Sequence, residues 1–211
     1  MDNLIYMLFV SVFVPISLMA CLVEKKARQP IIFVLIGMFV SVFASEVNGL
    51  MVALLPMSTF EITIVVTPIT EEILKAIPIL LFAVVLSAKK EALFTASMAV
   101  GIGFAVLENA FYLLRYSSFN MIDAIVRAFG AGLMHGMCTL LVGVGILFVK
   151  KKRKLSVVGT FAMLSTAITY HGIYNMLVQS DYQIIGYLLP IATYIPFVVW
   201  RIRKIRQKNA K

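Results

Sequence analysis

Between Leu4 and Trp200 the chain runs through seven long apolar stretches joined by short polar connectors. About 20 predominantly apolar residues let a helix cross the hydrocarbon of a bilayer. Windows of that size place spans over 4–23, 31–55, 62–86, 92–116, 122–149, 155–178 and 184–200. Of the 211 residues, 61% are apolar and 14% charged, more apolar surface than a soluble domain of this size can bury. The expected fold is an all-α polytopic membrane helical bundle of about seven transmembrane helices. The connectors are short, and neither a repeat nor a low-complexity tract is visible. Residues 1–211 therefore read as a single domain.

The charges orient this bundle. Lys25, Lys26 and Arg28 lie between spans one and two, Lys89 and Lys90 between three and four, and Lys150 to Lys154 ("KKKRK") between five and six. A basic tail from Arg201 to Lys211 follows span seven, so 16 of the 19 Lys and Arg residues fall on one side. Asp2, Glu61, Asp123 and Asp181 occupy the alternate ends. The positive-inside rule then gives N-out, C-in, with the basic clusters meeting anionic lipid. The net charge of +9 is thus explained by topology, and nucleic acid is not an expected partner. No basic segment precedes the first span, so "SLMAC" (Ser17 to Cys21) reads as part of a retained helix and not as a cleavage box. Cys21 and Cys138 are far apart in apolar runs and carry neither a disulfide framework nor a zinc-finger spacing.

Against this background the stretch "TPITEEILKAIP" (Thr67 to Pro78) is anomalous, because Glu71, Glu72 and Lys75 stand inside a spanning helix. At about 1.5 Å per residue, Glu71 and Glu72 lie roughly 15 Å below the outer edge. Glu108 lies about 10–12 Å from the outer end of span four, His135 about 20 Å down span five, and His171 about 10 Å from the end of span six. Asn175 is one turn above His171, and Glu46 falls about 14 Å from the outer end of span two. Each charge at this depth costs about 2.5–3.5 kcal/mol on insertion scales. An interhelical clamp accounts for any one of these residues. A shared polar cavity open to the outer side accounts for all of them at one depth.

Local spacing sharpens the expectation. Lys75 stands three residues from Glu72 and four from Glu71, within reach of either acid and placed to support the pair by charge and hydrogen bonding. Two adjacent carboxylates with different neighbours need not share a protonation state, so one can act as base and the other as hydrogen-bonding acid. Pro68 and Pro78 free the carbonyls of Ile64 and Leu74, which a membrane tolerates where backbone lines a polar cavity. His171 and Asn175 share a helix face, as do Phe104 and Glu108. Gly132 and Gly136 form a small-xxx-small pattern expected to bring helices close. "GIGFAV" lacks the third glycine and preceding strand of a dinucleotide loop.

The chain has no His-Glu-x-x-His, no Gly-x-Ser-Gly and no Gly-x-Gly-Asp, which removes several intramembrane protease schemes. The catalytic candidates are Glu71, Glu72, Glu108, His135, His171 and Asn175, with Lys75 and Glu46 in support. They fit a glutamate-activated water with His and Asn donors for an oxyanion. They equally fit a divalent metal such as zinc held by His135, His171 and Glu108 or Glu72, with one position left for water. The residues leave both schemes open. Buried Glu, His and Lys also build proton relays, so a small proton-coupled transporter or channel is the alternative. The absence of an inverted repeat, and of polar residues continuing toward the cytoplasm, speaks against it. An inert scaffold leaves the shared depth of the acids unexplained.

"EEILK" (Glu71 to Lys75), "GFAVLENAFY" (Gly103 to Tyr112), His135 in its glycine-rich helix and "HGIYN" (His171 to Asn175) resemble the PrsW intramembrane proteases in order and spacing. The likeness covers about Thr67 to Asn175. It implies the first, site-1 cut in a single-span anti-sigma factor on its extracytoplasmic side, during release of an envelope-stress sigma factor at the bacterial cytoplasmic membrane. It also implies essential roles for Glu71, Glu72 and His171. A more distant likeness joins the CAAX prenyl endopeptidases, which carry Glu-Glu-x-x-x-Arg where this chain has Glu-Glu-x-x-Lys. Their second motif ends in His where this chain has Glu108, so the prenyl-protein substrate is not carried over.

Overall fold

A computed structural model describes residues 3–86, 89–115, 121–149 and 153–209. It is a bundle of helices: α1 (Leu4–Leu22), α2 (Lys25–Leu54), the short α3 (Thr59–Glu61), a π-helical turn (Ile62–Val66), α4 (Thr67–Val85), α5 (Lys90–Arg115), α6 (Met121–Val149), α7 (Arg153–Val178) and α8 (Gln183–Asn209). No strand occurs among the described residues. All seven expected spans are helical, with α3, the π turn and α4 forming the third. Two helices overrun their apolar stretch, since α2 starts at Lys25 and α8 continues to Asn209. Lys, Arg and Gln are good helix formers, so helix continues past the point where hydropathy stops.

Among the described residues four helices are long and apolar enough on their own to cross a membrane: Leu4–Leu22, Lys25–Leu54, Lys90–Arg115 and Ala124–Leu147. The third span falls short because Glu71, Glu72 and Lys75 sit within one turn and a half of it, and all three are buried. Large apolar side chains such as Phe39, Phe43, Leu81, Val84 and Phe161 cover the outside instead. Water does not favour such a surface, whereas lipid does. The chain is a multi-pass membrane protein.

Packing places α6 against both α5 and α7, with α2 on the far side of α5 and α1 outside α2. Helix α4 wedges between α2, α6 and α7, and α8 lies on α6 and α7. Helices α5 and α6 approach closely at Gly101, where a Cβ would stand 2.4 Å from the His135 carbonyl oxygen and 2.8 Å from the Gly136 Cα. The expected Gly132–Gly136 contact is therefore half correct: Gly136 lies in the crossing, while a Cβ on Gly132 would meet nothing within 4 Å. The small residue opposite Gly136 is on α5, where a sequence stripe confined to α6 does not reveal it.

Toward the end that carries the basic connectors, the bundle closes on an apolar core of Ile79, Ala83, Leu93, Ala96, Val142 and Ile146. Ser97 within it returns its hydroxyl to the Leu93 carbonyl of its own helix at 2.8 Å. The ionisable groups thus lie above an apolar plug, toward the opposite end.

Candidate active site

The third span opens with a capping box. Ser58 Oγ accepts from the Glu61 N–H at 3.2 Å, and Glu61 Oε2 accepts from the Ser58 N–H at 2.8 Å. Seven residues after Glu61, Pro68 withholds the N–H that Ile64 would receive in an α-helix. The backbone answers by widening: the Thr67 N–H bonds the Ile62 carbonyl, closing the π turn. Two carbonyls then need other surroundings. Asn175 Nδ2 donates to the Thr63 oxygen at 3.0 Å. Gly172 lies against the Ile64 oxygen so closely that a Cβ would stand 2.8 Å from it. The "HGIYN" segment of α7 is thus fitted to the wide turn of the third span.

One turn on, Glu71 and Glu72 point about 100° apart, as successive helical residues must. Glu71 faces α2, where Asn48 Nδ2 donates to its Oε1 at 3.1 Å and Asn48 Oδ1 accepts from the Thr70 hydroxyl. Its other oxygen, Oε2, is buried without a hydrogen-bond partner. Glu72 faces the centre, where Lys75 Nζ donates to Oε1 at 2.6 Å and His171 Nδ1 lies 2.9 Å from the same oxygen. Lys75 is wholly buried. Its ammonium also lies 2.8 Å from His135 Nδ1 and 4.4 Å from the centre of the Phe104 ring. His135 Nε2 lies 3.0 Å from Glu108 Oε2, and Arg127 Nη2 approaches that oxygen at 3.6 Å while its guanidinium stacks on Tyr112 at 3.9 Å. A single chain of contacts therefore runs Arg127–Glu108–His135–Lys75–Glu72–His171 across α5, α6, α4 and α7.

The partners assign the imidazole tautomers. An ammonium only donates, so His135 Nδ1 accepts from Lys75 and its Nε2–H donates to Glu108. A carboxylate only accepts, so His171 Nδ1–H donates to Glu72 and its Nε2 carries a bare lone pair. That Nε2 stands 3.9 Å from the partnerless Glu71 Oε2. Two electron-rich atoms facing each other at this distance call for something electropositive between them: a proton on the carboxyl, a water hydrogen or a cation. The charge count agrees, since three carboxylates (Glu71, Glu72, Glu108) meet two permanent cations (Lys75, Arg127) among the described residues of this layer.

The same atoms fit a divalent ion. One ligand atom each from Glu71, His135 and His171 lies within 4.8 Å of the others. The Glu72–His171 bond is of the kind that orients a ligating histidine. The carboxylate differs from the sequence expectation of Glu108 or Glu72. Glu72 Oε1 is engaged by Lys75 and His171, and Glu108 Oε2 by His135 and Arg127. Glu72 Oε2 is buried without a partner, as is Glu71 Oε2, but it is Glu71 whose ligand atom lies within 4.8 Å of both histidines and whose free oxygen faces His171 Nε2.

Two cavities flank the cluster on the side away from the apolar plug. One of about 200 Å³ reaches Glu71, Asn48, Ser41, Ser45 and Glu108. The other, about 500 Å³, reaches Glu108, His135, Arg127, Tyr174 and Asn175 and extends to the exposed Thr59, Gln179 and Gln183 at the helix ends. They share Thr63, Thr67, Glu108 and Tyr112 and so adjoin. Six of the eight sequence candidates are joined by direct contacts around this space: Glu71, Glu72, Lys75, Glu108, His135 and His171. Asn175 lines it but uses an amide hydrogen on the Thr63 carbonyl. Glu46 stands apart, for its carboxylate accepts from Tyr6 of α1. Asn48 and Arg127 were not anticipated. Glu46 and Asn48 are two residues apart and face nearly opposite sides of α2, so only one can reach the cluster. Arg127, Ala131 and His135 repeat every four residues along one face of α6, a stripe that the sequence does carry.

No curated protein and no solved structure matches the chain. A family model does, described as PrsW family intramembrane metalloprotease, over residues 25–201, from α2 into α8 and across every residue of the cluster. The chain belongs to that family of intramembrane peptidases.

Proposed function

We propose that the protein makes the first, site-1 cut in a single-span membrane protein near its extracytoplasmic face, with Glu71 as the base that activates water. The observation that carries this reading is the facing pair of Glu71 Oε2 and His171 Nε2 at 3.9 Å, buried yet beside a polar cavity. A water between them gives a hydrogen to Glu71 as its oxygen adds to the scissile carbonyl carbon. The carbonyl electron pair moves onto oxygen. Collapse breaks the C–N bond, and the proton held by Glu71 passes to the leaving nitrogen. Glu72 fixes the His171 ring through Nδ1, while Lys75 and Glu108 fix His135 from its two sides. Asn48 holds Oε1 of Glu71 so that Oε2 meets the water. Asn175 keeps a second amide hydrogen beyond the one given to Thr63, available to an oxyanion. Where a divalent ion such as zinc is bound, Glu71 and His171 would hold it, joined by His135 on release from Lys75, and the chemistry it supplies is polarisation of the water and the carbonyl.

The cavities lie toward the end that the charge distribution assigns to the outside, and the apolar core below offers no polar path to the basic end among the described residues. Both features support a peptidase fed with water from outside over a transporter. The anti-sigma factor class of substrate and the bacterial cytoplasmic membrane rest on the family resemblance. The test is cleavage of a candidate anti-sigma factor by pure protein in liposomes, with both fragments weighed by mass spectrometry. A cut in the extracytoplasmic third of the span is expected, and a cut in its cytoplasmic half overturns the reading.

A further inference from the structure

The larger cavity contains two hydrogen-bond donors that the chemistry above does not use. Tyr174 is 3% exposed, lines the cavity, and its hydroxyl has no hydrogen-bond partner. Arg127 lines the same cavity, and its Nε–H is buried and equally without a partner. Leaving a buried donor unsatisfied costs about 1–3 kcal/mol, so two facing one space need a reason. Neither side chain is placed loosely. Stacking on Tyr112 at 3.9 Å and the approach to Glu108 at 3.6 Å fix the guanidinium plane of Arg127. Gly130 makes room for the Tyr174 hydroxyl, because a Cβ there would stand 3.1 Å from that oxygen. Tyr174 Oη and Arg127 Nε therefore form a preorganised donor pair beside Glu108 and His135.

We propose that Arg127 and Tyr174 are a binding subsite for main-chain carbonyls of the unwound segment of a substrate helix, on the side of the scissile bond that occupies the larger cavity. This rests on the proteolytic reading of the site. A spanning helix satisfies its own carbonyls. Once it opens for attack, the freed carbonyls are stranded in a low-dielectric space and need donors. A neutral hydroxyl and a guanidinium N–H supply them, while the carboxylates of the cluster, which only accept, do not. Such a pair favours an opened helix over a closed one and so selects substrates that unwind easily.

The test uses the Glu71→Gln protein, to stop turnover, labelled at the exposed Cys21 and reconstituted in liposomes. The probes are two labelled single-span peptides of about 24 Leu and Ala residues, one continuous and one with Gly-Pro in its outer third. Energy transfer reports binding. The interrupted peptide should bind more tightly than the continuous one. Tyr174→Phe and Arg127→Lys should each weaken binding of the interrupted peptide about three- to ten-fold, and leave the continuous peptide unaffected. Because the Tyr174 hydroxyl has no partner within the protein, Tyr174→Phe should leave the thermal midpoint unchanged or raise it. Equal affinity for the two peptides, or affinity for the interrupted peptide within two-fold in both variants, overturns the subsite. So does a lowered midpoint with equal weakening of both peptides, which marks a structural role. The same peptides given to protein with Glu71 intact separate the two claims. Donor-dependent binding without cleavage sinks the proteolytic reading and leaves the subsite standing, whereas cleavage indifferent to Tyr174→Phe does the reverse.

Discussion

Lys75→Met tests whether the buried charges form one interdependent unit. Lys75 is wholly buried, and its ammonium makes two close contacts, to Glu72 Oε1 at 2.6 Å and His135 Nδ1 at 2.8 Å. Methionine preserves much of the stem volume under Phe104, so little cavity forms and the loss is electrostatic. Removing one partner of a buried ion pair leaves an uncompensated charge and costs about 3–5 kcal/mol. Here Glu72 keeps only the His171 N–H, and His135 Nδ1 loses its donor, which places the expected loss in that range. Against a total stability of about 5–15 kcal/mol, this is a fifth or more. Adding Glu72→Gln removes the stranded charge, and the double variant should recover to within about 1–2 kcal/mol of the parent, because removing both partners of a buried pair is near neutral. The coupling energy is read from unfolding in bicelles of the parent, both single variants and the double variant. A Lys75→Met loss below about 1 kcal/mol, or strict additivity in the double variant, refutes the claim that Lys75 and Glu72 act as a pair.

Glu71→Gln keeps the shape of the carboxylate and its bond from Asn48 but loses the base, so cleavage should fall about 10²–10⁴-fold with the unfolding midpoint preserved, read by rates in liposomes. Glu72→Gln should abolish cleavage by a different route, releasing His171 and lowering stability, which the same two measurements distinguish. Gly172→Ala puts a Cβ 2.8 Å from the Ile64 oxygen and should cost about 1–3 kcal/mol by forcing the π turn away from α7, measured by thermal unfolding. Reporter fusions after Arg28, Lys90 and Arg153 should all read cytoplasmic, and two reading external would reverse the bundle.

The helices were legible because lipid leaves a spanning segment one solution, so hydropathy alone located all seven. The depth of the polar layer was legible for a related reason: a helix of known rise turns residue number into distance. What depth cannot supply is azimuth. Glu46 and Asn48 share a depth, yet Asn48 meets Glu71 while Glu46 meets Tyr6. Glu71 and Glu72 share one too, and only their roughly 100° separation gives one the Asn48 amide and the other a lysine and a histidine. The consequence of Pro68 was half visible. A freed carbonyl at Ile64 follows from the missing N–H. That the chain would respond with a π turn and dock it on Gly172 and Asn175 depends on α7, far away in sequence.

The arrangement of charge bears on why two acids stand side by side. Glu72 is bound by Lys75 and His171, and Glu108 by His135 and Arg127, so each of these carboxylates has a cation or a donating ring beside it. Glu71 has an amide on one oxygen and nothing on the other. The acid with the fewest partners in the layer is therefore the one that lines a cavity and faces the His171 Nε2. A single acid in this helix would face one of two failures. Paired with Lys75, it would be held and unreactive; unpaired, it would carry the full cost of a buried charge while the histidines lost their anchor. With two adjacent acids about 100° apart, one neutralises the lysine and aligns His171, and the other faces the Nε2 of that same ring, where the proposed mechanism places the water.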